Sequence, residues 1–332
     1  MQHREPIALG AAPPRISVLM PVFNTAAFLP QALESIRNQT FTDYEFVVID
    51  DGSSDGSTDI LRRYAATEPR MRLFVRANRG LIATRNELVA EARGELIAWM
   101  DSDDLSHPER LQLQIAEFTS DDRLVCVGGA AQRIDPEGHL LDVERHPTSH
   151  DEILAGQLTG GAMRFPTTMM RRDVTMSVGG FREPFRIGED LDLFLRLSEV
   201  GRMGNLSAIV YCYRQHASST FVRLSSQWLS YRHEILALAK ERMEFGSDRL
   251  QRGEVVTVHV DRQFDQVSLV ADAYAAWAGH ALRGGRFDHA WKFARAGLRS
   301  KPFSPLLWKL VILSGWGVWR SQRGDKYCDH RS

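Results

Sequence analysis

Four short apolar runs, each leading toward a helix-patterned segment, occupy the first hundred residues and leave few folds open. ISVLMPV (16–22), YEFVVID (44–50), MRLFVR (71–76) and ELIAWMD (95–101) are short and rich in β-branched and aromatic residues. Near-continuous hydrophobicity over that length reads as strands buried on both faces. The intervening stretches 26–38, 57–64 and 81–92 carry helical spacing, with Asp55 or Ser57 placed to cap the second of them. This alternation predicts an α/β architecture, a mostly parallel mixed sheet with helices on both faces. Ligands in such sheets bind beyond the carboxyl ends of the strands. Polar motifs at those ends therefore carry the most weight.

The next hundred residues are less regular. RLVCVGGAAQRID (123–135) reads as a strand, PEGH (136–139) as a turn into another, and AIVYCYRQH (208–216) as the last strand. Gly160–Gly161 and Gly179–Gly180 punctuate the region between, which closes on a helix from Leu191 to Glu199. From Arg223 onward the pattern is helical throughout. Tyr274, Ala278, Ala281 and Leu282 form one apolar stripe, and Phe287, Ala290, Trp291, Ala294 and Leu298 form a second. Gly284–Gly285 separates them, giving a hairpin like one degenerate tetratricopeptide unit. A single unit cannot bury its own face, so it reads as an accessory module packed on the first domain. The expected division is a flexible tail (1–15), an α/β domain (16–220) and a helical region (221–332).

Composition narrows the setting. The 332 residues carry a net charge of −1, which gives no global field for nucleic acid. Residues 1–220 hold 23 basic and 31 acidic side chains, whereas residues 221–332 hold 18 and 11. From Arg283 onward, 11 basic residues face Asp288, Asp325 and Asp329. Such a tail is either a solvated helical face or a peripheral contact for an anionic membrane. The apolar stretch 305–319 is too short, and too interrupted by Lys309, to span a bilayer. Trp316, Trp319, Arg320 and Arg323 fit an interfacial helix, while Leu306, Leu310 and Leu313 fit internal packing equally well. Cys126, Cys212 and Cys328 match neither a zinc spacing nor a disulfide framework, and the first two read as buried small hydrophobes in a reducing cytoplasm. The first 15 residues, with three prolines and no apolar core segment, do not resemble a signal peptide.

Chemistry concentrates at strand ends. Asp101-Ser102-Asp103-Asp104 follows an apolar strand directly. Three carboxylates in four residues repel unless a cation or donors neutralise them. Oxygen ligands there suit Mg²⁺ or Mn²⁺ shared with a phosphate. The competing reading is a helix cap, with Asp104 or Ser106 opening the helix that Pro108 starts. The DDGSSDGS loop (50–57) could cradle an anion, but its two leading aspartates suit acceptance of hydrogen bonds from a base or ribose. Arg85 reads as a phosphate partner or a surface cation. Glu189-Asp190 opens a helix after a glycine turn, where the helix dipole alone would favour acids. Beside a metal–diphosphate site, a second carboxylate can also take the proton of an attacking hydroxyl. His216 ends the last strand, as a structural residue or as a ligand.

ISVLMPVFN, VVIDDGSSDGST, ATRNELVAEARGELIAWMDSDDLSHPERL, GGFREPFRIGEDLDLFLRLSEVG and YRQHASST occur in that order. The set resembles the bacterial family 2 inverting glycosyltransferases of the GT-A fold, over residues 15–220. The resemblance implies a nucleotide-sugar donor (UDP- or dTDP-linked), a saccharide or lipid-linked acceptor in surface polysaccharide synthesis, and a divalent cofactor, Mn²⁺ or Mg²⁺. It implies that Pro21 and Phe23 flank the nucleotide base, that Asp51 accepts from its ring N–H, and that Asp101 meets the ribose and donor sugar; Arg85, read above as a phosphate partner, joins them as a donor-binding candidate. Asp103 would bind the metal, with His216 as a further ligand; Asp190 would be the catalytic base and Glu189 would shape the acceptor pocket. The implied site of action is the cytoplasm, at the inner face of the plasma membrane if the tail meets lipid. Two other readings compete: a sugar nucleotidyltransferase and a non-catalytic binding scaffold. The first usually needs an early Gly-rich basic loop, and PVFNTAAF contains no Gly, Lys or Arg. The second would fit the loss of Asp103 or Asp190, and both are present.

Overall fold

A computed structural model describes residues 12–159, 161–219, 224–260 and 266–324. The tail through residue 11, Gly160 and Cys328 lie outside the described residues, as do the side chains of Trp319, Arg320 and Arg323. The four apolar runs form β1 (Ile16–Val22), β2 (Tyr44–Asp50), β3 (Met71–Val75) and β4 (Leu96–Trp99), parallel in the order β3-β2-β1-β4. Burial on both faces explains their composition. Val18 and Met20 meet α1 (Leu29–Arg37), α2 (Ser57–Ala65) and α4 (Arg110–Ser120) on one side. Leu19, Val47 and Ile97 meet α3 (Leu81–Glu91) and α7 (Glu189–Ser198) on the other. After β1 the chain winds outward through β2 and β3, then returns to place β4 on the opposite flank of β1. That reversal opens a crevice between the ends of β1 and β4.

The rest of the sheet is mixed. β4 pairs antiparallel with β8 (Met169–Arg171), which pairs with β6 (Leu124–Ile134). β6 runs parallel to β9 (Arg202–Arg214) and forms a hairpin with β7 (Leu140–Glu144). The expected opening of a helix near Pro108 is not what the chain does. Leu105–Ser106 forms β5 against β9, and α4 begins at Arg110 with no side-chain cap. α1 likewise starts at Leu29, three residues later than the pattern implied, because Asn24 turns left-handed (φ 54°) and Pro30 sits in the first turn. Two short helices, α5 (His150–Thr159) and α6 (Arg172–Ser177), lead toward α7.

The C-terminal region is helical in two parts. α8 (Trp228–Phe245) packs Tyr231, Ile235 and Leu238 against Leu191 and Leu195 of α7. Residues 246–260 then run as turns and coil, against the expectation of helix throughout; Gly246 ends α8 in a left-handed cap (φ 75°). α9 (Gln266–Arg283) and α10 (Phe287–Ser300) form the predicted hairpin around buried Ala278, Ala281, Ala290 and Ala294. Trp291 does not join that stripe. It is turned outward with Arg295 over its ring at 4.4 Å, and Phe293 fills the core against Trp277. The hairpin's open face is covered by α11 (Pro305–Gly324), through Leu307 and Leu310, and by Leu141 of β7. Leu306 and Leu313, equally apolar, face outward. No helix of the described residues is long and apolar enough to cross a membrane.

Candidate active site

A cavity of about 1180 Å³ opens at the carboxyl ends of the strands. Pro21, Phe23, Asp51, Arg85, Asp101, Asp103, Glu189, Asp190 and His216, the nine residues singled out by sequence, all line it. Local chemistry holds the rim in place. The loop after β1 is tied to the loop after β2 by Asn24 N–H to Ser53 Oγ (2.9 Å), Ser54 N–H to Asn24 Oδ1 (2.8 Å) and Ala26 N–H to Asp55 Oδ2 (2.8 Å). Thr25 Oγ1 donates to Ser102 Oγ (2.9 Å), joining that pair to the acidic loop after β4. Asp55 also accepts from the Ser57 N–H and hydroxyl, holding the start of α2.

The two aspartates that end β2 differ in kind. Asp50 is fully buried and accepts from Ser53 N–H and the Thr58 hydroxyl, so it shapes the loop. Asp51 lines the cavity, but its carboxylate already accepts the backbone N–H groups of Arg79 (2.8 Å) and Gly80 (2.9 Å) and pairs with Arg76. Arg85 is no surface cation: it is buried, pairs with Glu189, and lies 4.3 Å from the centre of the Phe165 ring.

The acidic loop splits three ways. Asp103 Oδ2 lies 2.9 Å from His216 Nε2, and Ser218 Oγ, 2.8 Å from His216 Nδ1, orients that ring from behind. Asp101 faces the cavity with its carboxyl pushed up to about 6 by burial; Arg85 opposes the shift while Asp103 and Asp190 add to it. Asp104 is buried and caps no helix. Its Oδ1 accepts the Arg214 N–H at 2.7 Å, fixing β9 against the loop, and burial holds its carboxyl well above the usual range. The ligand atoms of Asp101, Asp103 and Asp104 gather within 4.8 Å of one another. An all-oxygen cluster in which Asp101 and Asp104 have raised carboxyls fits a hard divalent cation, whose charge would favour the ionised forms.

Opposite this loop, Gly188 (φ 81°) turns the chain so that Glu189 and Asp190 enter the cavity from the first turn of α7. A side chain on Gly188 would collide with Trp228 and Ile235 of α8. Burial pushes the Glu189 carboxyl up to about 7, against the pull of Arg85 and with a push from Asp190. The cavity also takes Arg164, Arg186 and Trp228, none of which the sequence marked. Arg164 pairs with Glu144 (2.7 Å) on β7, and Trp228 comes from α8. Both follow stretches without a motif, and nothing local to them signals a cavity wall.

Against this geometry, the family described as "Glycosyl transferase family 2" matches residues 17–179. The putative glycosyltransferase EpsE of Bacillus subtilis is 33% identical over 217 residues, 64% of this chain and 77% of that protein. The chondroitin synthase of Pasteurella multocida is 29% identical over 210 residues, 63% of this chain but 22% of the synthase. The chain thus spans about a fifth of that larger relative. A Pyrobaculum calidifontis mannosyltransferase, solved with GDP-mannose and Mn²⁺, is 16% identical with a TM-score of 0.52, covering 95% of this chain and 89% of that one. At that identity the likeness speaks for the fold.

Proposed function

This chain belongs to glycosyltransferase family 2, and on that premise we propose that it transfers a sugar from a nucleotide-diphosphate donor to an acceptor hydroxyl with inversion. One observation supports the reading above the others. Carboxylates from two separate elements, the loop after β4 and the start of α7, face one cavity at a switch point of the sheet. The donor base would lie against Pro21 and Phe23, above Asp51, and Asp101 would meet the ribose and donor sugar. The diphosphate would lie by the acidic loop. Asp103 and His216 would hold Mn²⁺ or Mg²⁺, which when bound supplies positive charge for the departing diphosphate.

Asp190 would accept the acceptor's proton as its oxygen forms a bond to the anomeric carbon and the carbon–phosphate oxygen bond breaks. Attack from the face opposite the leaving group inverts that carbon in one displacement. Glu189, clamped by Arg85, would set the acceptor side of the pocket. The donor class proposed is a UDP- or dTDP-sugar, and the acceptor a saccharide or lipid-linked hydroxyl of a surface polysaccharide; the similarity to a chondroitin synthase supports polysaccharide synthesis. We also propose that residues 16–220 act as the α/β transferase domain, with the helices from α8 onward as an accessory region.

We place the enzyme on the cytoplasmic side of an anionic membrane. Phe303, Leu306, Trp308, Ile312 and Leu313 are exposed together on and just before α11, with Arg299, Lys301 and Lys309 exposed among them. An apolar helix face edged by cations complements an acidic lipid surface.

Replacing Asp190 with Asn is expected to lower transfer by about 10²–10⁴-fold, the usual share of a general base. Donor affinity, measured by calorimetry with Mn²⁺ across UDP-, dTDP- and GDP-sugars, should stay within a few-fold. Asp103→Asn should instead weaken donor binding together with the metal requirement. Near-normal turnover by the Asp190→Asn protein would overturn the assignment.

A further inference from the structure

On the far side of the acidic loop, three residues converge where the helical hairpin meets the sheet. Asp135 follows β6, His139 closes the β6–β7 turn, and His289 stands in the first turn of α10. Asp135 is fully buried; its Oδ1 accepts the His139 N–H at 2.8 Å. Its Oδ2 lies 3.1 Å from His139 Nδ1 and 3.2 Å from His289 Nε2, and the two rings stand 5.1 Å apart. None of the three lines the cavity described above.

His289 stands between two carboxylates. Its Nε2 faces Asp135, while its Nδ1 faces Asp288 Oδ1 at 3.0 Å without hydrogen-bond geometry. One ring proton serves only one of these carboxylates, so satisfying both takes either a second proton on the ring or a cation beside Nε2. A cation beside Nε2 and Oδ2 does so with one ring proton. It leaves the Nδ1 proton directed toward Asp288, 3.0 Å away, on the side from which a carboxylate can orient a ligating imidazole. Ligand atoms about 3.3 Å apart are the edges of a tetrahedron with metal bonds of about 2.0–2.1 Å, close to the 3.1 and 3.2 Å found here. The remaining acid of the turn, Glu137, is neutralised by Lys292 at 2.9 Å. His139 is exposed, which gives a metal its entry path and a water its place as fourth ligand.

We infer that Asp135, His139 and His289 form a zinc-class metal site that clamps the helical hairpin to the β6–β7 turn. Two imidazoles and one carboxylate favour Zn²⁺ over the hard cations suited to the acidic loop. The ligands come from both partners of the contact, so metal bound there stabilises their docking.

Full-length protein stripped of metal and titrated with Co²⁺ tests this. The expected result is one tetrahedral cobalt spectrum per chain, displaced by Zn²⁺, retained in Asp103→Asn and lost in His289→Ala and His139→Ala. His139 is exposed, so its variant should keep the native circular dichroism spectrum. Zn²⁺ should also raise the melting temperature of the Asp103→Asn protein and slow hydrogen exchange in α10, with neither effect in His139→Ala. A cobalt spectrum that survives both histidine substitutions, or no spectrum in Asp103→Asn, would reduce the cluster to an ion pair.

Discussion

Glu189 and Asp190 are neighbours in one helical turn, yet the fold gives them different surroundings. Glu189 is buried with Arg85 above the Phe165 ring, whereas Asp190 is only half-buried. A carboxyl raised from 4.5 to about 7 keeps its proton in the folded state where the unfolded chain has released it. Its contribution to stability is therefore fully present below about pH 4.5 and is lost as pH climbs through about 7. Thermal unfolding of metal-free protein should show a melting temperature that falls across that window, and Glu189→Gln should flatten the fall. A slope unchanged by the substitution would show that burial does not hold the proton there. The same contrast separates Asp50 from Asp51 and Asp103 from Asp104. In sequence these are identical letters at the end of an apolar run. In the fold Asp50 and Asp104 tie backbone together away from the cavity, while Asp51 and Asp103 line it, Asp51 also holding the Arg79 and Gly80 N–H groups.

At the scale of elements, the period of the apolar residues was enough to place β1 to β4 and α3, because burial on both faces demands it. It was not enough where backbone partners compete. Leu105–Ser106 lies between the acidic loop and a helix, and only the edge of β9 makes it a strand. The hairpin of α9 and α10 is stopped by Gly284–Gly285 as the sequence implied, but the two glycines do unlike work. Gly285 adopts φ 71° in open space, and a side chain there meets nothing. At Gly284 a Cβ would stand 1.8 Å from the Leu141 carbonyl oxygen, so the hairpin sits directly on β7. Gly284→Ala must displace backbone and should cost on the order of 1–3 kcal/mol in denaturant unfolding. Gly285→Ala should cost about 1 kcal/mol, from the left-handed backbone alone. Equal losses in the two variants would place the hairpin farther from β7.

Across the whole molecule, the cavity is a joint product of two regions that the sequence presents as separate. Trp228, beyond the last motif, walls the cavity from α8, whose other residues share a core with α7. Charge is divided as well, with the basic excess gathered at the end of the chain that carries the exposed apolar face of α11. Binding to phosphatidylglycerol vesicles, and not to phosphatidylcholine vesicles, is expected in flotation. Ile312→Ser with Leu313→Ser should reduce it several-fold, as should raised salt. Equal binding to both lipids would exclude an electrostatic contact.

The acidic loop shows where the two sources of information part. The sequence by itself determined the α/β sheet, the helices that cover it, the strand end where Asp101 and Asp103 fall and the helix start that carries Asp190, because hydrophobic period, strand length and turn residues are local. Only the tertiary structure decided that Asp104 fastens β9, that Arg85 is buried beneath Glu189, and that His216 meets Asp103 across 113 residues of sequence. It also decided which leucines of α11 face the hairpin. Those outcomes depend on which distant groups share one desolvated space, and spacing along the chain carries no record of that.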